Sequence, residues 1–391
     1  LGYLRADDSR YGDNRAALLG FFREIGPQDE LIINGDLLEL SLAGLDEAYA
    51  DLREFFALLS EAPGFGRVVY IPGNHDHHVW LELAERASVN GRIARGDLPP
   101  SDRDYPSFFV DRSFSSLDPN PARRPAFGGL WPENRRPPEI VIKYPHHLVD
   151  IPAATGRSCR YLFTHGHFLE ELFTPINYLI EPARLDELEA FNSVWIEALN
   201  YHFGRSGRLA DKVQEMFGKV EQGDRKARRE LRRMIDRAYV SASARLKLGW
   251  AKRLGLRWIA NRAAALAGGL LADRRSGLFR SPIDDRLKSR IAGYLKKYIL
   301  ARYRGAQAAE YRIPSGQDLP HPFTFIFGHT HTPSAGDGQA FVQIDDEVYP
   351  LANTGGWLRI DGSGAADGEC AGVLRIDNAG PRWLSLKGRL R

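Results

Sequence analysis

Four short polar elements, each closing an apolar run, restrict this chain to a fold that gathers strand ends. Gly35-Asp36 follows Leu31–Ile33, and Gly73-Asn74-His75-Asp76 follows Val68–Ile71. His165-Gly166-His167 follows Tyr161–Phe163, and Gly328-His329-Thr330-His331 follows Phe323–Phe327. Short apolar runs stopped by turn residues read as buried strands. Helical spacing lies between the first of them. Ala17, Leu18, Phe21 and Phe22 mark one helix within 14–24, and Leu45, Ala48, Leu52, Phe55, Phe56 and Leu59 mark a second. Helix alternating with apolar strand is the pattern of a layered α/β core. In such cores ligands collect beyond the C-terminal ends of the strands, where all four elements fall.

The donors in these elements are carboxylate, amide oxygen and imidazole, a set that suits Mn, Fe or Zn. The only cysteines are Cys159 and Cys370, too few for a thiolate site and in keeping with a reducing compartment. Glycine beside each donor lets the backbone turn sharply and approach an ion or a phosphate. A lone Gly-Asp is usually a turn. Gly-Asn-His-Asp and Gly-His-Thr-His, however, each arise by chance in about one chain in a thousand of this length at average residue frequencies. Their occurrence in order, each after an apolar run, points to one site.

These elements resemble the motifs of the calcineurin-like metallophosphoesterase superfamily: Asp-x-His, Gly-Asp, Gly-Asn-His-Asp/Glu, a single His, and Gly-His-x-His. The resemblance covers about 1–170 and 320–391 and implies a four-layer α/β/β/α sandwich with two divalent ions where its sheets meet. It implies that Asp36 bridges the ions, that Asn74, His165 and His329 complete one of them, and that His331 serves the other. His75 then sits over the scissile phosphoryl group as general acid, with Asp76 orienting it. The opening Asp-x-His is absent from the sequence, and Leu1-Gly2 resembles the tail of an Asp-x-His-Leu-Gly form of it. His77, His147 and Asn353 are further candidates for substrate contact, the last because Asn353-Thr354-Gly355-Gly356-Trp357 resembles a wall segment of several bacterial branches. His167 reads as a partner of a metal ligand, and His202 as structural.

Between the two matching parts the pattern changes. Residues 97–139 are rich in Pro, Arg and Ser and show no period, so they read as a long surface excursion. From about 171 to 319 the reading is a helical insertion. Leu185, Leu188, Trp195 and Leu199 mark one helix, and Leu231, Met234, Ile235 and Ala238 a second. Leu287, Ile291, Leu295 and Ile299 mark a third, opening at Ser281-Pro282. Residues 200–305 hold 27 Lys/Arg against 9 Asp/Glu in a chain whose net charge is only +3, which leaves −15 for the remainder. Over 245–280 the basic residues interleave with Leu, Ile and Trp, as in an interfacial helix pair on an anionic membrane. The same stretch also reads as a solvated cap packed on the core. Nucleic acid is the weaker partner, because no base-reading or stacking module accompanies the charge. No window approaches eighteen uninterrupted apolar residues, which excludes a spanning helix.

Three segments are therefore expected: core over 1–170, helical cap over 171–319, and core again over 320–391. The function expected is dimetal hydrolysis of a phosphomonoester, phosphodiester or pyrophosphate by a metal-bound hydroxide, on a substrate that can be lipid-linked. One bacterial branch of the superfamily cleaves a UDP-diacylglucosamine lipid and typically has Arg where this chain has His75. A nuclease and a non-catalytic scaffold with a partial metal site are the alternatives. The expected location is the cytoplasm, in keeping with the low cysteine usage, with a peripheral position at the inner membrane face open to it.

Overall fold

The computed structural model describes residues 4, 11–38, 44–99, 112–152, 158–170, 184–199, 283–301, 323–330, 340–356 and 371–386, with isolated positions besides. The chain opens with α1 (Tyr11–Ile25), β1 (Gln28–Asn34), α2 (Leu45–Glu61) and β2 (Phe65–Ile71). Next come α3 (His77–Glu85), a π turn, and the one-turn α4 (Gly91–Ile93). Four strands follow: β3 (Arg112–Ser115), β4 (Glu139–Tyr144), β5 (His146–Pro152) and β6 (Ser158–Thr164). Two helices, α5 (Leu185–Leu199) and α6 (Asp285–Tyr294), precede the closing strands β7 (Thr324–Phe327), β8 (Phe341–Ile344), β9 (Glu347–Asn353), β10 (Gly372–Asp377) and β11 (Gly380–Ser385).

Two sheets carry the fold. One has the order β1-β2-β4-β3, with β1, β2 and β4 parallel and β3 antiparallel at the edge. The other has the order β5-β6-β7-β9-β8, with a parallel centre of β6, β7 and β9. The hairpin β10-β11 forms a third, two-stranded unit. The two-residue period of each strand divides its side chains between two surfaces. Ile32 and Ile71 of the first sheet join Tyr161, Phe163, Ile326 and Ala352 of the second in one apolar cluster. The alternate residues Leu31, Ile33, Leu162, Phe325 and Phe327 join the larger cluster, which holds Phe21 and Phe22 of α1, Leu52 and Phe56 of α2, and Ile291 of α6. Burying both faces is what lets these strands read as continuous apolar runs.

The expectation for 97–139 is corrected near its middle. There β3 pairs with β4, placing Phe114 opposite Ile142, and the Phe114 ring packs tilted against Trp80 with centroids 5.3 Å apart. One apolar residue between Arg and Ser gives no period to read. The third helix of the insertion starts at Asp285 rather than at Ser281-Pro282. The Asp284 carboxylate accepts from the Leu287 N–H at 2.8 Å and caps it. Its stripe of Leu287, Ile291, Leu295 and Ile299 is buried as the spacing predicts. The helix read at 231–238 falls mostly outside the described residues, and 245–280, Ser281, Pro282, His202 and His331 lie outside them too.

Trp80 is fully buried, stacked on Tyr144 with centroids 5.2 Å apart. Trp80→Ala should cost about 3–5 kcal/mol through lost transfer energy and the cavity left behind. A lowered urea midpoint at unchanged m-value is the expected reading.

Candidate metal centre

The parallel strands place their C-terminal ends together. Asn34 of β1 stands beside Ile71 of β2, and Phe327 of β7 beside Asn353 of β9. The loops leaving β1, β2, β6 and β7 carry Asp36, Asn74, His165 and His329. His165 lies at their centre. Its Nε2 is 3.1 Å from Asp36 Oδ2, 3.1 Å from Asn74 Oδ1 and 3.1 Å from His329 Nδ1. Ligand atoms of Asp36, His165 and His329 all fall within 4.8 Å of one another, the one such cluster among the described residues.

Two glycines make this approach possible. Gly35 has φ of +92°, and a Cβ there would lie 1.9 Å from His165 Nδ1. A Cβ on Gly73 would lie 2.2 Å from Asp36 Oδ1. Any side chain at either position drives a donor out of place. Asp36 itself takes the left-handed conformation, φ +51°, which Asp tolerates better than most residues. The turn directs one carboxylate oxygen at His165 and the other at the backbone N–H of His75, 3.1 Å away. Asp76 braces the same two loops, accepting from the N–H of Gly73 at 2.6 Å and of Leu38 at 3.1 Å. Burial, then the charge of Asp36, push the Asp76 carboxyl up to about 6.

The donor chemistry fits a cation. His165 Nδ1 lies 3.0 Å from the Asn34 carbonyl and donates to it, so the neutral ring turns a lone pair toward Asp36, Asn74 and His329. The Asp36 carboxylate and the Asn74 amide oxygen are acceptors, and the His329 Nδ1 is a third whenever that ring carries its proton on Nε2. Such a set is stable only with a proton or a metal ion among them. Without a metal the proton takes that place. Burial opposes charge on His165, but Asp36 outweighs it and raises the imidazole pKa. Burial likewise opposes ionisation of Asp36, yet the charges of His165 and His75 hold its carboxyl well below the usual range.

A cavity of about 960 Å³ begins at Asp36 and His165 and runs along β1 to Phe22 and Phe65. Residues 11–201 match the family model of the calcineurin-like phosphoesterases. That segment is similar to this family. Searches of curated proteins and of solved structures returned no match. The likeness suggests metal-dependent hydrolysis of phosphate esters. The matched segment runs past residue 170 and takes in α5, whose Leu185, Leu188 and Ile196 pack in the larger core cluster.

Three of the substrate-contact candidates have other partners. His77 is fully buried and its two ring nitrogens face Glu189 and Glu197 of α5, the latter at 2.7 Å. His147 sits between the sheets, 3.0 Å from Lys143 Nζ and 2.6 Å from Glu30 Oε1. Asn353 bonds Thr330 Oγ1 at 2.5 Å and the Gly355 N–H at 2.8 Å, tying the His329 loop to the strand that follows. These bonds give each of the three a partner within the protein. His167 accords with its reading as a neighbour of the ligand set: its ring centroid is 5.7 Å from that of His165, and its Nε2 is 3.2 Å from Tyr144 Oη.

Sequence reading missed Glu189 and Glu197. Their signal is two acids among the buried positions of α5, with Leu188, Asn192 and Ile196. It also missed Glu170, which follows a short 3-10 turn where no period exists to read.

Burial disfavours charge on His77, but Glu189 and Glu197 overcome it and raise the imidazole to about 10. A raised folded pKa contributes stability that is complete below the unfolded value of about 6.5 and is lost as pH climbs through 10. Melting temperature should therefore fall between about pH 7 and 10, and His77→Gln should remove that part of the slope. Thermal unfolding of both proteins across this range is the check.

Proposed function

We propose that this chain is a dimetal phosphoesterase. Asp36, Asn74, His165 and His329 hold one ion, and Asp36 with His331 contributes to the other. The observation that carries this reading is the 3.1 Å convergence of two acceptor oxygens and the His329 Nδ1 on His165 Nε2, in a chain with a segment similar to the calcineurin-like phosphoesterase family. The division of strand side chains between two apolar clusters supports a four-layer α/β/β/α core built from 1–170 and 320–391. The composition of 171–319 supports a helical cap between them.

Bound Mn, Fe or Zn supplies Lewis acidity at the phosphoryl oxygen and makes water a stronger acid. The residues of the chain do the rest. His75 follows Asn74 directly, its backbone N–H is tied to Asp36, and its ring is the group assigned to protonate the departing oxygen. Asp76 keeps the two loops at a fixed separation through its backbone bonds. The cavity that starts at Asp36 and His165 has the size of a small-molecule site. The positive excess over 200–305 suits an anionic, lipid-linked phosphodiester or pyrophosphate.

The test is Mn²⁺-dependent hydrolysis of bis(p-nitrophenyl) phosphate, run beside single-stranded DNA and anionic phospholipid vesicles. Asp36→Ala should abolish both Mn²⁺ binding and turnover. His75→Ala should keep the metal and lose about 10²–10⁴ of the rate on a poor leaving group. Full activity of His75→Ala on such a substrate removes its acid role, and cleavage of DNA alone favours a nuclease.

A further inference from the structure

The two imidazoles of the centre face each other, and each has a nitrogen turned away. For His165 that nitrogen is Nδ1, held by the Asn34 carbonyl. For His329 it is Nε2, and the atom beyond it is Glu170 Oε2 at 3.3 Å. His329 is 4% exposed, so water does little to orient its ring. The Phe173 ring meets it edge-on at 5.2 Å between centroids, and apolar contact alone cannot choose between the two tautomers. The choice matters. If Nδ1 carries the proton, an N–H points at His165 Nε2, 3.1 Å away, and the lone pair needed there is lost. If Nε2 carries it, the lone pair of Nδ1 joins those of His165, Asn74 and Asp36.

We infer that Glu170 is a positioning residue for the metal centre: its carboxylate accepts the Nε2–H of His329 and so keeps the Nδ1 lone pair directed at the ion. Glu170 is well placed for this. It closes the short 3-10 turn His167–Leu169 that follows His165, and its own N–H is bonded to the His167 carbonyl at 3.1 Å. One loop thus supplies both a ligand, His165, and the group that orients a ligand from another strand, His329. Such outer partners raise ligand basicity and fix ring orientation, and removing one typically weakens metal binding about 10- to 100-fold.

This inference rests on the proposed metal centre, and the experiment separates the two. The full chain is titrated with Mn²⁺ alone and free Mn²⁺ is followed by its electron paramagnetic resonance signal. The comparison is between wild type, Glu170→Gln and Glu170→Met. Gln keeps an acceptor oxygen at the same reach; Met keeps the length without one. The expected result is binding by wild type, affinity within about threefold for Gln, and a loss of about 10- to 100-fold for Met. Equal affinity in all three, or a loss for Gln as large as for Met, overturns the role of Glu170. A wild type that binds no Mn²⁺ overturns the metal centre itself. Thermal unfolding of the metal-free variants shows whether Met has disturbed the fold. If it has, Glu170→Ala, which removes the acceptor and adds no bulk, replaces it and is read by the same two outcomes.

Discussion

Everything in this molecule turns on a crowd of acceptors around one imidazole nitrogen. Two acceptor oxygens and the Nδ1 of a second imidazole stand 3.1 Å from His165 Nε2, and neither oxygen can satisfy the other. Left to themselves a carboxylate, an amide oxygen and two imidazole lone pairs repel. They stay together only if a positive charge sits among them and the scaffold bars their retreat. The scaffold does so with glycine on one side, where Gly35 and Gly73 leave no side chain in the way, and with backbone donors on the other. A metal ion bound among these groups would displace the proton shared between Asp36 and His165, so affinity for metal and for proton would be two measures of one arrangement.

The fold explains why the crowd can form at all. Parallel strands in two sheets deliver their C-terminal ends to one side, and the loops that leave them are held by the strand ends themselves. Gly328 and His329 both donate backbone N–H groups to the His165 carbonyl at 3.0 Å, which locks the second sheet's two ligand loops to each other. Asp76 does the same for the first sheet's loops. Behind this centre, α5 is fastened to α3 by the His77 ion pairs and to β4 by Tyr144, whose hydroxyl donates to Glu189 at 2.8 Å. The helix opening beside Asn74, His75 and Asp76 is therefore clamped from the far side by buried charge.

Much of this was legible in the sequence because the signals were local. Leu31–Ile33 and Val68–Ile71 are runs that only a strand buried on both faces explains, and the Gly-Asp and Gly-Asn-His-Asp that close them are donors with the glycines their geometry requires. What escaped was set by tertiary contact. Among the described side chains of β3 only Phe114 is buried, and the strand exists because β4 offers it an edge. His77 and His147 looked like free imidazoles because the carboxylates that take them, Glu189 and Glu197 for one and Glu30 for the other, are more than a hundred residues away. Asn353 looked open for a like reason: one of its partners, Thr330, lies on the loop of the next strand over. The start of α6 moved three residues because a carboxylate at Asp284 caps it.

The most direct measurement is anomalous diffraction from crystals of the protein soaked in Mn²⁺. A peak bounded by the side chains of Asp36, Asn74, His165 and His329, within coordinating distance of each, is the predicted result. A difference map with no peak there, while those four side chains hold the places described, would contradict it.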